Sequence, residues 1–134
     1  MMALQEINRE ATHKTPKIQL KPEGFIVIQG TSTPIDAAEF YFDILDWLTD
    51  YFRNPKENTS VKIELEHINS ASASIIYRFF HLLNRLSESQ KSTVRCIWTF
   101  DVEDEFMIEF LESIEEVAPL VMFISQPRSV EFVD

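Results

Sequence analysis

Hydrophobic and polar residues alternate strictly between residues 61 and 67, where Val61, Ile63 and Leu65 alternate with Lys62, Glu64 and Glu66. A period of two predicts a β-strand that is buried on one face. Because Pro22-Glu23-Gly24 separates two further apolar runs, we expect a hairpin there. Runs rich in β-branched and aromatic residues predict four more strands, at residues 17–20, 25–29, 93–100 and 120–124.

Three other segments repeat apolar residues every three or four positions, which predicts amphipathic helices. The first is predicted from Pro34 to about Phe52, with its N-cap within residues 31–33 and proline at the first helical position. Phe40 and Trp47 lie on a flank beside its stripe. That stripe consists of Ala38, Tyr41, Leu45, Leu48 and Phe52.

The second helix is predicted to begin at Asn69-Ser70, and the third begins in the acidic segment 101–105 and ends at Pro119. The order β-β-α-β-α-β-α-β predicts a two-layer α/β domain with a mixed sheet and right-handed crossovers between its parallel strands. We expect residues 1–16 to be a mobile arm, residues 17–126 to form the single domain, and residues 127–134 to be a polar tail.

The charge of the chain limits its partners. With 12 bases, 22 acids and a net charge of −10, it would repel nucleic acid and anionic membranes, and its bases are scattered along the sequence. Proteins are therefore the expected partners. The single cysteine, Cys96, lies in an apolar strand and has no disulfide partner, and the N-terminus does not read as a signal peptide, so we expect a cytoplasmic protein.

Enzyme chemistry is weakly supported. His13, His67 and His81 lack metal-ligand spacing, and a chain with two glycines has no glycine-rich phosphate loop, so neither a metal nor a nucleotide cofactor is expected. Burial is the favoured interpretation of Cys96. The acids of segment 101–105 could bind a cation or act as a carboxylate pair, but a solvated helix start explains them more simply.

Serines are concentrated at the predicted start of the second helix, in the segment Asn69-Ser70-Ala71-Ser72-Ala73-Ser74. A phosphate on Ser70 would meet exposed backbone N–H groups and the positive end of the helix dipole. The simpler alternative is that Asn69 or Ser70 only caps the helix and that Ser72 and Ser74 are small surface or packing residues.

The wider pattern resembles the SiaC-type family of regulatory phosphoproteins. The resemblance is carried by Thr15-Pro16, residues 37–41 leading to Asp46-Trp47-Leu48, residues 65–72, and Trp98-Thr99-Phe100-Asp101 with its following acids. It implies a STAS-like fold of the anti-sigma factor antagonist type and a non-enzymatic role in partner switching and cyclic-di-GMP signalling, including biofilm control. The implied partners are a Ser/Thr kinase, a PP2C-type phosphatase and an effector, which is a diguanylate cyclase in the best-understood systems.

The family's phosphoacceptor follows the asparagine of an Asn-Thr-Ser-Ser motif, and that position falls on Ser70. Asn69 and Ser72 also match the motif, whereas Ala71 replaces its second hydroxyl and Ser74 replaces a lysine found two residues after its last serine. We therefore expect phosphorylation of Ser70 to control partner binding, with Asn69, Ser72 and Ser74 at the contact surface. The alternative is a constitutive binding module or oligomer subunit that uses Phe40 and Trp47 as exposed anchors.

Overall fold

The computed structural model describes residues 3–128, which form six strands and three helices. The strands are β1 (Ile7–Arg9), β2 (Lys17–Lys21), β3 (Phe25–Ser32), β4 (Asn58–Ile68), β5 (Thr93–Asp101) and β6 (Met122–Arg128). The helices are α1 (Ala37–Arg53), α2 (Ser70–Glu88) and α3 (Glu105–Val117). Among these residues, no helix is both long enough and apolar enough to cross a bilayer.

The sheet order follows the chain order from β1 to β6. The pairs β1–β2 and β2–β3 are antiparallel, and the pairs from β3 to β6 are parallel. Each helix therefore connects neighbouring parallel strands in the same direction. Because such crossovers are right-handed, all three helices lie on one face of the sheet, and the described chain leaves the other face open.

The core lies between the helices and the covered face of the sheet. The period of two predicted for β4 is confirmed, since Val61, Ile63 and Leu65 are buried. From the helices, Tyr41, Ile44 and other residues at helical spacing pack onto this face. Full burial of a large apolar side chain contributes about 1.5–3 kcal/mol, so this layer dominates the stability of the fold.

The N-terminal segment departs from the predicted mobile arm. Residues 7–9 form β1, which pairs with β2 in the register Ile7 to Leu20. The Arg9 side chain forms an ion pair with Asp43 and donates to the carbonyl oxygen of Phe40. Three residues are too few to give a visible alternation, which is why the sequence pattern did not predict this strand.

Helix α1 begins later than predicted. Its N-cap is Asp36, whose side chain accepts from the N–H of Glu39 at 3.0 Å, whereas Ser32 still belongs to β3 and pairs with Ile68 of β4. The buried stripe also differs, because Ala38 is exposed and Ile44, Trp47 and Tyr51 are buried. Asn69 is the N-cap of α2, as expected at that junction. The spacing of Phe106, Phe110, Ile114 and Val117 predicts one buried face for the third helix. Phe110 and Ile114 are buried, but Phe106 and Val117 are exposed, and Met107 and Leu111 are buried instead.

Gly24 provides a test of the hairpin. Its φ is +99°, and a Cβ at this position would lie 2.7 Å from the Asn58 carbonyl oxygen, whereas a Cβ at Gly30, with φ +125°, would be 3.6 Å from its nearest neighbour. Each φ costs an alanine about 1–3 kcal/mol. We expect Gly24→Ala to lower the free energy of unfolding in urea by more than Gly30→Ala, because only the former adds a steric clash. Equal losses would show that the contact with Asn58 is unimportant.

Candidate functional site

The junction between β4 and α2 is held by one side chain. Asn69 Oδ1 accepts from the N–H of Ser72 at 2.8 Å, and Nδ2 donates to the Pro34 carbonyl oxygen at 3.2 Å. The Asn69 N–H donates to the Ser32 carbonyl oxygen at 3.1 Å. Asn69 therefore fixes the start of α2 to the loop that precedes α1.

The serines that follow Asn69 differ in their exposure. Ser70, the first residue of α2, is exposed, and so is Ser74 one turn later. The expectation that Ser72 lines the surface is wrong, because it is fully buried. Ser70 is therefore the accessible hydroxyl group directly after the cap.

Ser72 belongs to a buried chain of hydroxyl groups. Ser32 Oγ donates to Ser72 Oγ at 3.0 Å and lies 2.6 Å from the Tyr41 hydroxyl oxygen. Burial raises the pKa of Tyr41 to about 12, and the hydrogen bond with Ser32 opposes the shift only in part. Because these three groups come from α2, β3 and α1, they hold the ends of these elements in register beneath Ser70.

No acidic side chain offsets the positive end of the helix dipole in the first turn of α2, where Ser70 lies. The first turns of α1 and α3 contain the acids Glu39 and Glu105, whereas the first turn of α2 contains none. Its free N–H groups and the positive end of the helix dipole are compatible with an added anion.

Exposed apolar side chains lie at the same edge of the sheet as Ser70, where the parallel strands end. Ile35 is 93% exposed and Phe42 72%, and both border a shallow groove of about 630 Å³. Val102 and Phe106, around the start of α3, are also exposed. We call Ile35, Phe42, Val102 and Phe106 the docking edge, because exposed large apolar side chains at one end of a domain are typical of interaction sites.

The anchors predicted on the flank of α1 are not free. Trp47 is buried, and its Nε1 donates to the Gln5 carbonyl oxygen at 2.6 Å, so the prediction of an exposed Trp47 is wrong. Phe40 is half-buried, and the Arg9 guanidinium lies 5.7 Å from the centre of its ring. The N-terminal segment covers both side chains.

The residues considered for enzyme chemistry lie apart or are engaged. Cys96 is fully buried, and this burial raises the pKa of its thiol far above the usual range. Asp104 caps α3 by accepting from the N–H of Met107 at 3.0 Å, and Asp101 accepts from the N–H of Glu103. Among residues 3–128, no group of three or more His, Cys, Asp or Glu side chains is placed to hold a metal ion.

A family model described as SiaC family regulatory phosphoprotein matches residues 9–128. The chain belongs to the SiaC family. The matched region covers the whole sheet from β2 to β6 and all three helices. The family predicted from the sequence is thereby confirmed.

Solved SiaC structures have the same fold, so the predicted two-layer, STAS-like domain is also confirmed. Apo-SiaC from Pseudomonas aeruginosa is 20% identical with a TM-score of 0.81, over 91% of this chain and 98% of that one. A chain from the crystal structure of the diguanylate cyclase SiaD in complex with its activator SiaC, from the same organism, is 22% identical with a TM-score of 0.83, over 91% and 99%. An uncharacterised protein of P. aeruginosa strain UCBPP-PA14 is 22% identical over 114 residues, which is 84% of this chain and 90% of that protein.

Sequence reasoning named Ser70 and Asn69 as candidate site residues but did not predict the docking edge. Ile35 was assigned to the first turn of a helix, and Phe42 lay outside the predicted stripe. Their off-stripe positions were the available signal, since a large apolar residue outside the buried stripe of a helix is exposed unless another element covers it.

The buried hydroxyl chain makes stability depend on pH in the alkaline range. The Tyr41 pKa is raised from 10.0 to about 12 in the folded protein, so the neutral phenol stabilises the fold fully below pH 10 and this contribution is lost as the pH rises through 12. We expect the difference in unfolding free energy between wild type and Tyr41→Phe to fall by about 2–3 kcal/mol across this interval in urea titrations. All other ionisable groups are common to the two proteins, so their contributions cancel in this difference. A difference that stays constant would contradict the assignment.

Proposed function

We propose that this protein is a partner-switching regulator whose docking edge binds an effector when Ser70 is unmodified and releases it when Ser70 is phosphorylated. The observation that carries the proposal is the exposed Ser70 hydroxyl directly after the Asn69 cap, in a chain that belongs to a family of regulatory phosphoproteins. The proposed role is non-enzymatic. Because the nucleotide substrates of the kinase and the cyclase are made in the cytoplasm, the switch operates there.

In the modification step, Ser70 Oγ attacks the γ-phosphorus of ATP bound to a cognate Ser/Thr kinase. The new Oγ–P bond forms as the bond between the β- and γ-phosphates breaks, ADP leaves, and the hydroxyl proton passes to the kinase. A PP2C-type phosphatase reverses the step by transferring the phosphoryl group to water.

The consequence of phosphorylation follows from where Ser70 lies. Asn69 ties the start of α2 to Pro34, so Ser70 is next to the loop that carries Ile35. A phosphate adds nearly two negative charges beside this apolar surface. A partner that docks there must remove water from the phosphate or is repelled by its charge, so its binding is weakened. The fold tolerates the phosphate, because α2 keeps its Asn69 cap.

The effector class we propose is a diguanylate cyclase. Support comes from the related SiaC, which is the activator of the diguanylate cyclase SiaD and shares the fold of this chain. Ser74, in the position of the family's lysine, favours the alternative of a constitutive binding module, because the missing cation would help to hold a phosphate or a nucleotide.

The phosphorylation site is tested with the cognate kinase, ATP and mass spectrometry. We expect one phosphate on Ser70, none on Ser70→Ala, and unchanged modification of Ser74→Ala, which removes the other exposed hydroxyl of the segment. PP2C-type phosphatase should remove the phosphate. Phosphate on Ser74, or a Ser70→Ala protein that is modified as readily as wild type, would contradict the assignment.

The docking edge is tested with the diguanylate cyclase of the same organism. We expect Phe42→Ala and Ser70→Asp each to weaken binding at least about tenfold in calorimetry, because one removes an exposed apolar contact and the other adds charge. Phe25→Ala, on the opposite face of the sheet and 52% exposed, is the matched control and should bind normally. If Ser70→Asp and Ser70→Ala both bind as wild type, the protein is a constitutive module.

A further inference from the structure

The open face of the sheet collects bases that are scattered in the sequence. Outward positions alternate with the buried ones along each strand, and from β2 to β6 they hold five bases and three acids. The whole chain has 12 bases and 22 acids. A chain of net charge −10 therefore carries a positive face opposite its helices. The bases are Lys17, Lys21, Lys62, Arg95 and Arg128.

The acids of this face are concentrated at one end. Glu64 forms an ion pair with Arg128 and accepts from Gln29 at 3.4 Å. Toward the opposite end, two rows that cross the strands contain no acid. One row is Lys21, Phe25, Ser60, Arg95 and Met122, and the other is Gln19, Val27, Lys62, Ile97 and Ile124.

These two rows, here called the outer patch, combine free cations with apolar side chains. Within residues 3–128, Lys21, Lys62 and Arg95 make no ion pair. Phe25, Met122 and Ile124 are each 52% exposed, and Ile97 is 39% exposed. Neighbouring strands are about 4.8 Å apart, so the patch extends about 19 Å from β2 to β6.

We infer that the outer patch is a second docking surface, which binds a segment of another protein that carries both acidic and apolar side chains. Carboxylates of the segment would meet Lys62 and Arg95, and its apolar side chains would cover Ile97, Ile124 and Met122. This surface faces away from the helices. Its use is therefore separate from the proposed switch at Ser70, and the protein can hold two partners.

The charge distribution of this protein favours an acidic protein segment over nucleic acid and anionic membranes. The acidic helical side repels nucleic acid and anionic membranes at long range, whereas a short protein segment carries few charges and also uses the apolar contacts. A second copy could place its acidic helices on the patch, but that contact joins two different faces. It would repeat head to tail into a ring or a filament, so a second copy is recognised by assembly of the protein alone.

The test selects random peptides of about 12 residues, long enough to cross the patch, on the full-length protein. We expect the selected sequences to be enriched in Asp, Glu and apolar residues. High salt should weaken the binding of these peptides to the wild type, because it screens the attraction to Lys62 and Arg95. Lys62→Glu combined with Arg95→Glu should weaken their binding at least about tenfold in fluorescence anisotropy. Lys14→Glu combined with Lys91→Glu, at two exposed sites outside the patch, changes the net charge equally and should leave binding unchanged.

Nuclear magnetic resonance locates the bound peptide independently of the variants. The amide chemical shifts should change in β4, β5 and β6 rather than in α1 and α3. If the Lys62→Glu/Arg95→Glu protein fails to fold, Lys62→Gln combined with Arg95→Gln repeats the binding test without charge reversal. Selection of basic sequences or of none would overturn the inference. Equal binding of the peptides by the Lys62→Glu/Arg95→Glu and Lys14→Glu/Lys91→Glu proteins would also overturn it. The same holds if duplex DNA or phosphatidylglycerol vesicles bind more tightly than the peptides, or if the protein alone forms salt-sensitive rings or filaments.

Discussion

The structure depends on a topological constraint: three successive crossovers run in one direction along the sheet. Because each crossover is right-handed, α1, α2 and α3 must share one face. The carboxyl ends of β3, β4 and β5 then meet at one edge, together with the helix starts that follow them. The exposed Ser70 and the apolar docking edge lie at the same end of the domain for this reason, although Ile35 and Phe106 are far apart in the sequence.

Local periodicity explains what the sequence could predict. The alternation of β4 and the Asn69 cap depend on nearest neighbours, and both are visible without a structure. The helix start at Asp36 was missed because β3 continues to Ser32, where pairing with Ile68 of β4 outweighs the helix signals of Ser32 and Thr33. A contact formed across 36 residues has no local signature.

The burial of Trp47 and Ser72 depends on partners that are distant along the chain. Trp47 is covered by the segment around Gln5, whose strand is too short to be recognised from its pattern. Ser72 is accepted in the core because Ser32, 40 residues earlier, supplies a hydrogen bond. A buried hydroxyl without a partner would cost about 1–3 kcal/mol, so the same serine without Ser32 would be expected at the surface. Residue type alone therefore could not separate Ser70 from Ser72.

The same strand order also gathers bases on one face of the sheet. Along the chain, Lys62 and Arg95 are 33 positions apart, yet strand pairing brings them onto neighbouring strands of one face. The helices carry ten of the 22 acids, on the other side of a sheet whose covered face is apolar. A phosphate at Ser70 would add charge at the edge of the sheet, and an ionic strength near physiological screens exposed charges beyond about 8 Å. Contacts on the far face of the sheet are therefore screened from the charge at Ser70. One small domain can thus present one surface whose binding depends on phosphorylation and another whose binding does not.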